Sequence, residues 1–178
     1  CILGIVCLLV CTMAQAAKTA PADSLEANEY DGITISLLTC GPGEEVYTLY
    51  GHTAIRICDT TRHADIVVNY GMFSFRQNFF VARFILGLTD YMIGITSFSN
   101  FVDEYTYEGR WVYEQVLNLR QEEKKAIIAA IDENSKPENA TYRYNCFYNN
   151  CTTRARDILT ENISGKVGYA PETWDAPS

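Results

Sequence analysis

The sequence predicts an α+β domain with a largely antiparallel sheet. Two observations carry this. Short apolar segments come first, at Ile33 to Thr39, His52 to Ile57 and Asp65 to Tyr70. Helical patterns are interspersed afterwards, the clearest from Arg120 to Asn134. Strands grouped ahead of helices favour a sheet with helices set against it over a βαβ alternation.

The chain opens on a processing segment. Cys1 to Val10 is almost wholly apolar, and Ala14-Gln15-Ala16 is an A-x-A cleavage pattern. The run has the length of a signal-peptide core and is too short to span a bilayer. Residues 1–16 are therefore expected to be a leader whose front is clipped. The alternative is a lipoprotein acylated at Cys11, but Val10 is larger than the residue that lipid attachment prefers. Residues 17–32 are polar and alanine-rich, a flexible lead-in. Residues 33–164 make a single domain, and 165–178 form a tail whose end reads as a cut. About 160 residues remain after cleavage, enough for one core.

Within the domain, Ile33 to Thr39 is the first strand and Cys40 to Glu45 a Gly-Pro turn. His52 to Ile57 sets Thr53, Ile55 and Ile57 against Ala54 and Arg56, a strand alternation. Asp65 to Tyr70 is the third strand, expected to stop at Gly71. Phe79 to Ile95 is apolar, but Arg83, Gly87, Thr89, Asp90 and Gly94 interrupt it. It reads as a buried helix near Gln77 to Leu86 and a strand near Tyr91 to Ile95, not as a membrane span. Asn100 to Tyr107 is helical and Trp111 to Leu117 a strand. Arg120 to Asn134 has Glu122 and Glu123 in its first turn and Ile127, Ile128 and Ile131 on its apolar face. Tyr142 to Phe147 leads in extended form into a last helix from Cys151 to about Glu161.

The net charge is −8 and no basic stripe appears, which argues against a nucleic-acid partner. Cys40, Cys58, Cys146 and Cys151 remain after cleavage. An exported chain can form disulfides among them, including a small Cys146–Cys151 redox loop. No C-x-x-C or His-rich spacing suggests a metal, and no cofactor is expected. Asn139, Asn150 and Asn162 lie in N-x-S/T sequons, which matter only in a eukaryotic secretory pathway.

The chemistry centres on Cys151. Asn150 is a good N-cap, which places Cys151 in the first turn of a helix. There the backbone amides and the macrodipole favour the thiolate, the form that attacks carbonyls. The chain holds 2 histidines. His52 opens a strand after a glycine and is the candidate base, while His63 sits in a polar loop and reads as surface. Asn69, on the strand that follows, can lie beside His52 and orient its ring, or it is a turn former before Gly71. Asn150 or the Cys151 amide can donate to an oxyanion. Tyr50, Tyr144 and Tyr148 are cleft lining or core. Arg110 and Arg154 can bind a substrate carboxylate or serve on the surface.

Five segments occur in order: L-L-T-C-G-P-G at 37–43, Y-G-H-T-A-I-R-I at 50–57, V-V-N-Y-G-M-F-S-F at 67–75, G-R-W-V-Y-E-Q-V-L-N-L at 109–119 and Y-R-Y-N-C-F-Y-N-N-C-T-T-R-A-R-D at 142–157. Together they resemble the Lnb N-terminal periplasmic domain family over roughly Ile33 to Ile163. More distantly, a histidine strand ahead of an Asn-Cys helix resembles circularly permuted NlpC/P60 and papain-like thiol hydrolases. That resemblance implies a permuted papain-like fold, with His52 as base, Cys151 as nucleophile and Asn69 as the polar residue on the next strand. Two positions depart from the family pattern: Cys146, where an aromatic is usual, and Asn149, where an aspartate is usual.

The expectation is thus a periplasmic or envelope thiol hydrolase that acts through an acyl-enzyme. Its expected partner is an envelope-derived substrate, a cell-wall peptide or an acylated lipid. Membrane association is expected only through segments beyond this domain. The rival expectation is a non-catalytic binding or assembly module on the same scaffold. A third is acyl transfer in place of hydrolysis.

Overall fold

The computed structural model describes residues 29–45, 48–73, 83, 86, 89–145, 147–165 and 168. The expected leader at 1–16, most of the expected lead-in and tail, Cys146, and nearly all of the helix expected near Gln77 to Leu86 lie outside the described residues.

Six strands and three helices follow in order: β1 (Ile33–Cys40), β2 (His52–Asp59), β3 (Ala64–Met72), β4 (Asp90–Ser97), α1 (Phe98–Tyr107), β5 (Val112–Val116), α2 (Gln121–Ser135), β6 (Thr141–Arg143) and α3 (Cys151–Glu161). The strands form one sheet in the order β5-β1-β2-β3-β4-β6, and every neighbouring pair is antiparallel. The α+β class with an antiparallel sheet is therefore observed.

Helices cover both faces of the central strands. Ile33, Ile35, Ile55, Ile57, Val68 and Tyr70 pack on one face with Ile127 and Ile131 of α2 and Ala155, Ile158 and Leu159 of α3. Leu38, Cys40, Ala54 and Val67 pack on the other face with Phe101 and Tyr105 of α1. Strand alternation assigns odd and even positions of β1 and β2 to opposite layers. Two-sided cover explains why apolar residues occur on both faces of these strands.

The α1 face also holds an ion cluster. Arg56 on β2 pairs with Asp65 at 2.7 Å and Glu114 at 2.9 Å, and its guanidinium lies 3.6 Å from the Phe98 ring centroid. One cation thereby ties β2, β3, β5 and α1 together.

The helix starts follow local chemistry. Ser97 ends β4 and caps α1, its side chain accepting from the Asn100 amide. Asn150 caps α3 through the Thr153 amide, and Thr153 returns a bond to the Asn150 backbone. At α2, Glu123 accepts from the Arg120 amide and from both the amide and hydroxyl of Ser164. These bonds hold the Glu123 carboxyl low, at about 2, and anchor the chain after α3 to the start of α2.

Two details differ from the sequence expectation. β3 does not stop at Gly71: it continues to Met72 with a register shift against β4 between Tyr70 and Met72. Gly71 takes φ 116°, so it kinks the strand without ending its pairing. The domain also begins before Ile33, because Tyr30 packs against the core and Glu29 pairs with Arg62 at 2.8 Å.

Candidate active site

The two sides of the site come from opposite faces of the sheet. His52 lies across from Cys40 at the start of β2, on the α1 side. Cys151 starts α3 on the other side. They meet at the end of the strands, where Gly71 leaves a gap. A methyl group built on Gly71 would lie 3.6 Å from the Cys151 Cβ and 3.9 Å from the His52 Cε1. Gly51 serves the same strand end differently. Its φ is 73°, and a side chain there would come within 2.5 Å of the Cys40 carbonyl oxygen. Only glycine allows the chain to turn into His52 so close to β1.

His52 and Asn69 are diagonal neighbours on one face. The β2–β3 register pairs Ala54 with Asn69, so Asn69 sits one diagonal step from His52. The His52 Nε2 lies 3.0 Å from the Asn69 Oδ1. An amide oxygen only accepts, so Nε2 carries the proton and Nδ1 is left for the sulfur.

The Cys151 thiol receives three kinds of support. Burial pushes it up. The hydrogen bond and charge of His52, the Thr53 backbone amide and the Thr152 hydroxyl act against burial and bring it down from 9.0 to about 7. The Thr152 Oγ1 lies 4.0 Å from the sulfur and 2.9 Å from the Thr53 Oγ1. Because Asn150 takes the Thr153 amide, the first two amides of α3, on Cys151 and Thr152, have no intrahelical partner. An oxyanion formed on a carbonyl carbon attacked by the sulfur can accept from them. The Asn150 side-chain oxygen is committed to the cap, so it supports the helix start.

Cys151, Cys40 and Cys58 are free thiols, so Cys151 is not held in the small loop with Cys146. Among the described residues no cluster of His, Cys, Asp and Glu could hold a metal ion.

The other residues singled out from sequence are placed as follows. Tyr144 stacks on Tyr91 with centroids 4.1 Å apart and packs against the core. Arg154 donates to the Asn149 Oδ1 at 2.7 Å and lies 4.1 Å over the Tyr142 ring. Its guanidinium thus holds the loop ahead of Cys151. Asn149 also donates to the Arg143 carbonyl at 2.8 Å. An asparagine there supplies both a donor and an acceptor to the loop. Arg110 is buried against Glu108 at 2.7 Å and the Gly41 carbonyl at 2.9 Å. Tyr50 and Tyr148 are 96% and 84% exposed. They stand on the loops leading into His52 and Cys151 and do not line a closed cleft. His63 is exposed with φ 53°, a turn residue.

A cavity of about 270 Å³ opens beside His52, Asn69 and Gly71 and runs under α1 to Phe101, Glu104 and Tyr105. Its walls do not include Cys151, which reaches His52 from beyond Gly71.

Sequence reasoning missed Thr53 and Thr152. Both adjoin the candidate catalytic residues, yet nothing in their spacing shows that two threonines 99 positions apart meet.

The fold and site define a class: an antiparallel α+β domain with a Cys-His-Asn cluster at one end of its sheet. Residues 20–176 match the family model of the Lnb N-terminal periplasmic domain, and the chain belongs to that family. The family is a periplasmic one, which suits an envelope location. No helix among the described residues is long and apolar enough to cross a membrane. No curated protein and no solved structure gives a significant match.

Proposed function

We propose that this domain is an exported thiol hydrolase of permuted papain-like fold, in which Cys151 is the nucleophile, His52 the base and Asn69 the residue that orients the imidazole. One observation carries the reading. The His52 ring meets the sulfur of a helix-start cysteine while its other nitrogen is held by Asn69 at 3.0 Å. A nucleophile, its base and an orienting group in that relation are the parts that covalent acyl chemistry requires.

The reaction follows from the geometry. His52 Nδ1 takes the thiol proton, and the thiolate attacks an amide or ester carbonyl. The amides of Cys151 and Thr152 stabilise the tetrahedral oxyanion. His52 then gives its proton to the leaving amine or alcohol, and an acyl-thioester remains on Cys151. Water, deprotonated by His52, attacks the thioester and releases the acid. An amine or hydroxyl acceptor in place of water gives acyl transfer by the same steps.

The substrate we infer is an envelope amide or ester, such as a cell-wall peptide or an acylated lipid, delivered to a domain exported by the leader at 1–16. Bound under α1, it brings its carbonyl past Gly71 to the sulfur, with Tyr50 and Tyr148 exposed to meet its flanks.

The test is trapping of the intermediate. The protein is incubated with a panel of activated esters and peptide amides, quenched in acid and mapped by mass spectrometry. The reading expects an acyl adduct on Cys151, lost in Cys151→Ala and strongly slowed in His52→Ala. Products formed with added amine or alcohol acceptors separate transfer from hydrolysis. Absence of any adduct across the panel, with Cys151 unreactive to alkylation as well, supports the non-catalytic module instead.

A further inference from the structure

His52 and Thr53 are consecutive on β2, so alternation sends their side chains to opposite faces of the sheet. His52 serves the α1 side. Thr53 points to the α3 side, and at 8% exposure its hydroxyl has little access to water. It lies 2.9 Å from the Thr152 hydroxyl, and the Thr53 backbone amide bonds the Cys151 sulfur. Thr53 therefore grips two consecutive residues of α3, one through its main chain and one through its side chain.

The direction of the hydroxyl pair matters. Each hydroxyl has one proton. If Thr53 donates to Thr152, the Thr152 proton is free to turn toward the sulfur, 4.0 Å away. A thiolate favours that direction, because it accepts the end of the chain. A chain of hydroxyls aimed at an anion is polarised along its length.

Resting on the reading of Cys151 as a nucleophile, we propose that Thr53 is a positioning residue. Its buried hydroxyl donates to Thr152 and turns the Thr152 hydroxyl onto the Cys151 sulfur, while its backbone amide holds the same sulfur in place. The dipeptide His52-Thr53 then stabilises one thiolate from both faces of the sheet. The role is distinct from that of Asn69, which acts through the imidazole.

The experiment follows iodoacetamide alkylation of Cys151 against pH, read by peptide mass spectrometry, in the full chain. Wild type is compared with Thr53→Val, Thr53→Ser, Thr152→Val and the Thr53→Val/Thr152→Val double variant. Valine keeps the shape and removes the hydroxyl. Thr53→Val should raise the midpoint by about half to one pH unit, roughly two- to fivefold less thiolate at neutral pH. Thr53→Ser should restore the wild-type midpoint. The double variant should shift no further than Thr152→Val alone, because both ends belong to one chain. Circular dichroism and thermal midpoints identify any variant that misfolds. Thr152→Val with Thr53→Ser still decides the matter if Thr53→Val is lost. An unchanged midpoint in Thr53→Val and Thr152→Val, with His52→Ala still raising it, overturns the proposal and leaves the nucleophile reading standing. No effect from His52→Ala overturns the nucleophile reading itself.

Discussion

Cys40 and Cys151 flank the same histidine, and the fold treats them in opposite ways. Cys40 lies directly across from His52 on β1, 3% exposed, with Tyr105 hydrogen-bonded to it. Burial pushes its thiol up to about 11, and the bond from Tyr105 and the charge of Arg110 recover only part of that shift. Cys151 is also pushed up by burial, yet His52, the Thr53 amide and the Thr152 hydroxyl bring it to about 7. The difference lies in depth and in partners: Cys40 is buried, and Cys151 is half-buried beside His52. Cys40 behaves as a small apolar core residue, the usual state of a buried cysteine. Cys151 has a helix start and a histidine beside it, surroundings that lower a thiol.

The sharpest way to break the contrast is to remove the orienting group. Asn69→Ala frees the His52 ring, and a misplaced base costs about tenfold to a hundredfold in rate. Acyl-adduct formation on Cys151 should fall by that factor, while Cys40 stays unreactive. Next in size is Gly71→Val. A branched residue at φ 116° is strained by about 1–2 kcal/mol, and the side chain fills the gap between His52 and Cys151. A lower thermal midpoint with slower alkylation of Cys151 is expected. Cys40→Ala sharpens the contrast from the other side. It should cost about 1 kcal/mol in denaturant unfolding, the loss of one small buried group, and leave the Cys151 alkylation profile unchanged.

The smallest effect concerns acid. The Glu123 carboxyl is held at about 2 in the fold by Arg120 and Ser164, below its unfolded value of 4.5. A lowered carboxyl pKa contributes stability above the unfolded value, and this contribution is lost as pH falls from about 4.5 toward 2. Glu123→Gln should therefore flatten the unfolding profile over that window. The Cys151 titration, set at the far end of α3, should not move.

Much of this organisation was legible in the residues. Alternation marked β2 and β5, and the Asn-Cys pair marked the start of α3 at the residue where it occurs. Asn69 was legible as a neighbour of His52 because a hairpin register needs only the length of the turn between two strands. Contacts that depend on how layers stack were not legible. The Thr53–Thr152 pair needs the placement of α3 on β2. The meeting of His52 and Cys151 was expected from their residue types, but the place where it occurs, beside Gly71, was not. Arg154 read as a carboxylate binder or a surface residue, and its guanidinium holds Asn149 and lies over Tyr142. Tyr50 and Tyr148 read as cleft lining or core and are exposed, since aromatic composition says nothing about which side of a loop turns outward.

The most direct measurement is the pH dependence of Cys151 alkylation in the wild-type protein and in His52→Ala. The wild-type midpoint should lie near 7 and rise by up to about two pH units without the histidine, roughly fiftyfold less thiolate at neutral pH. A Cys151 that is inert, or that titrates as an ordinary thiol in both proteins, contradicts that expectation.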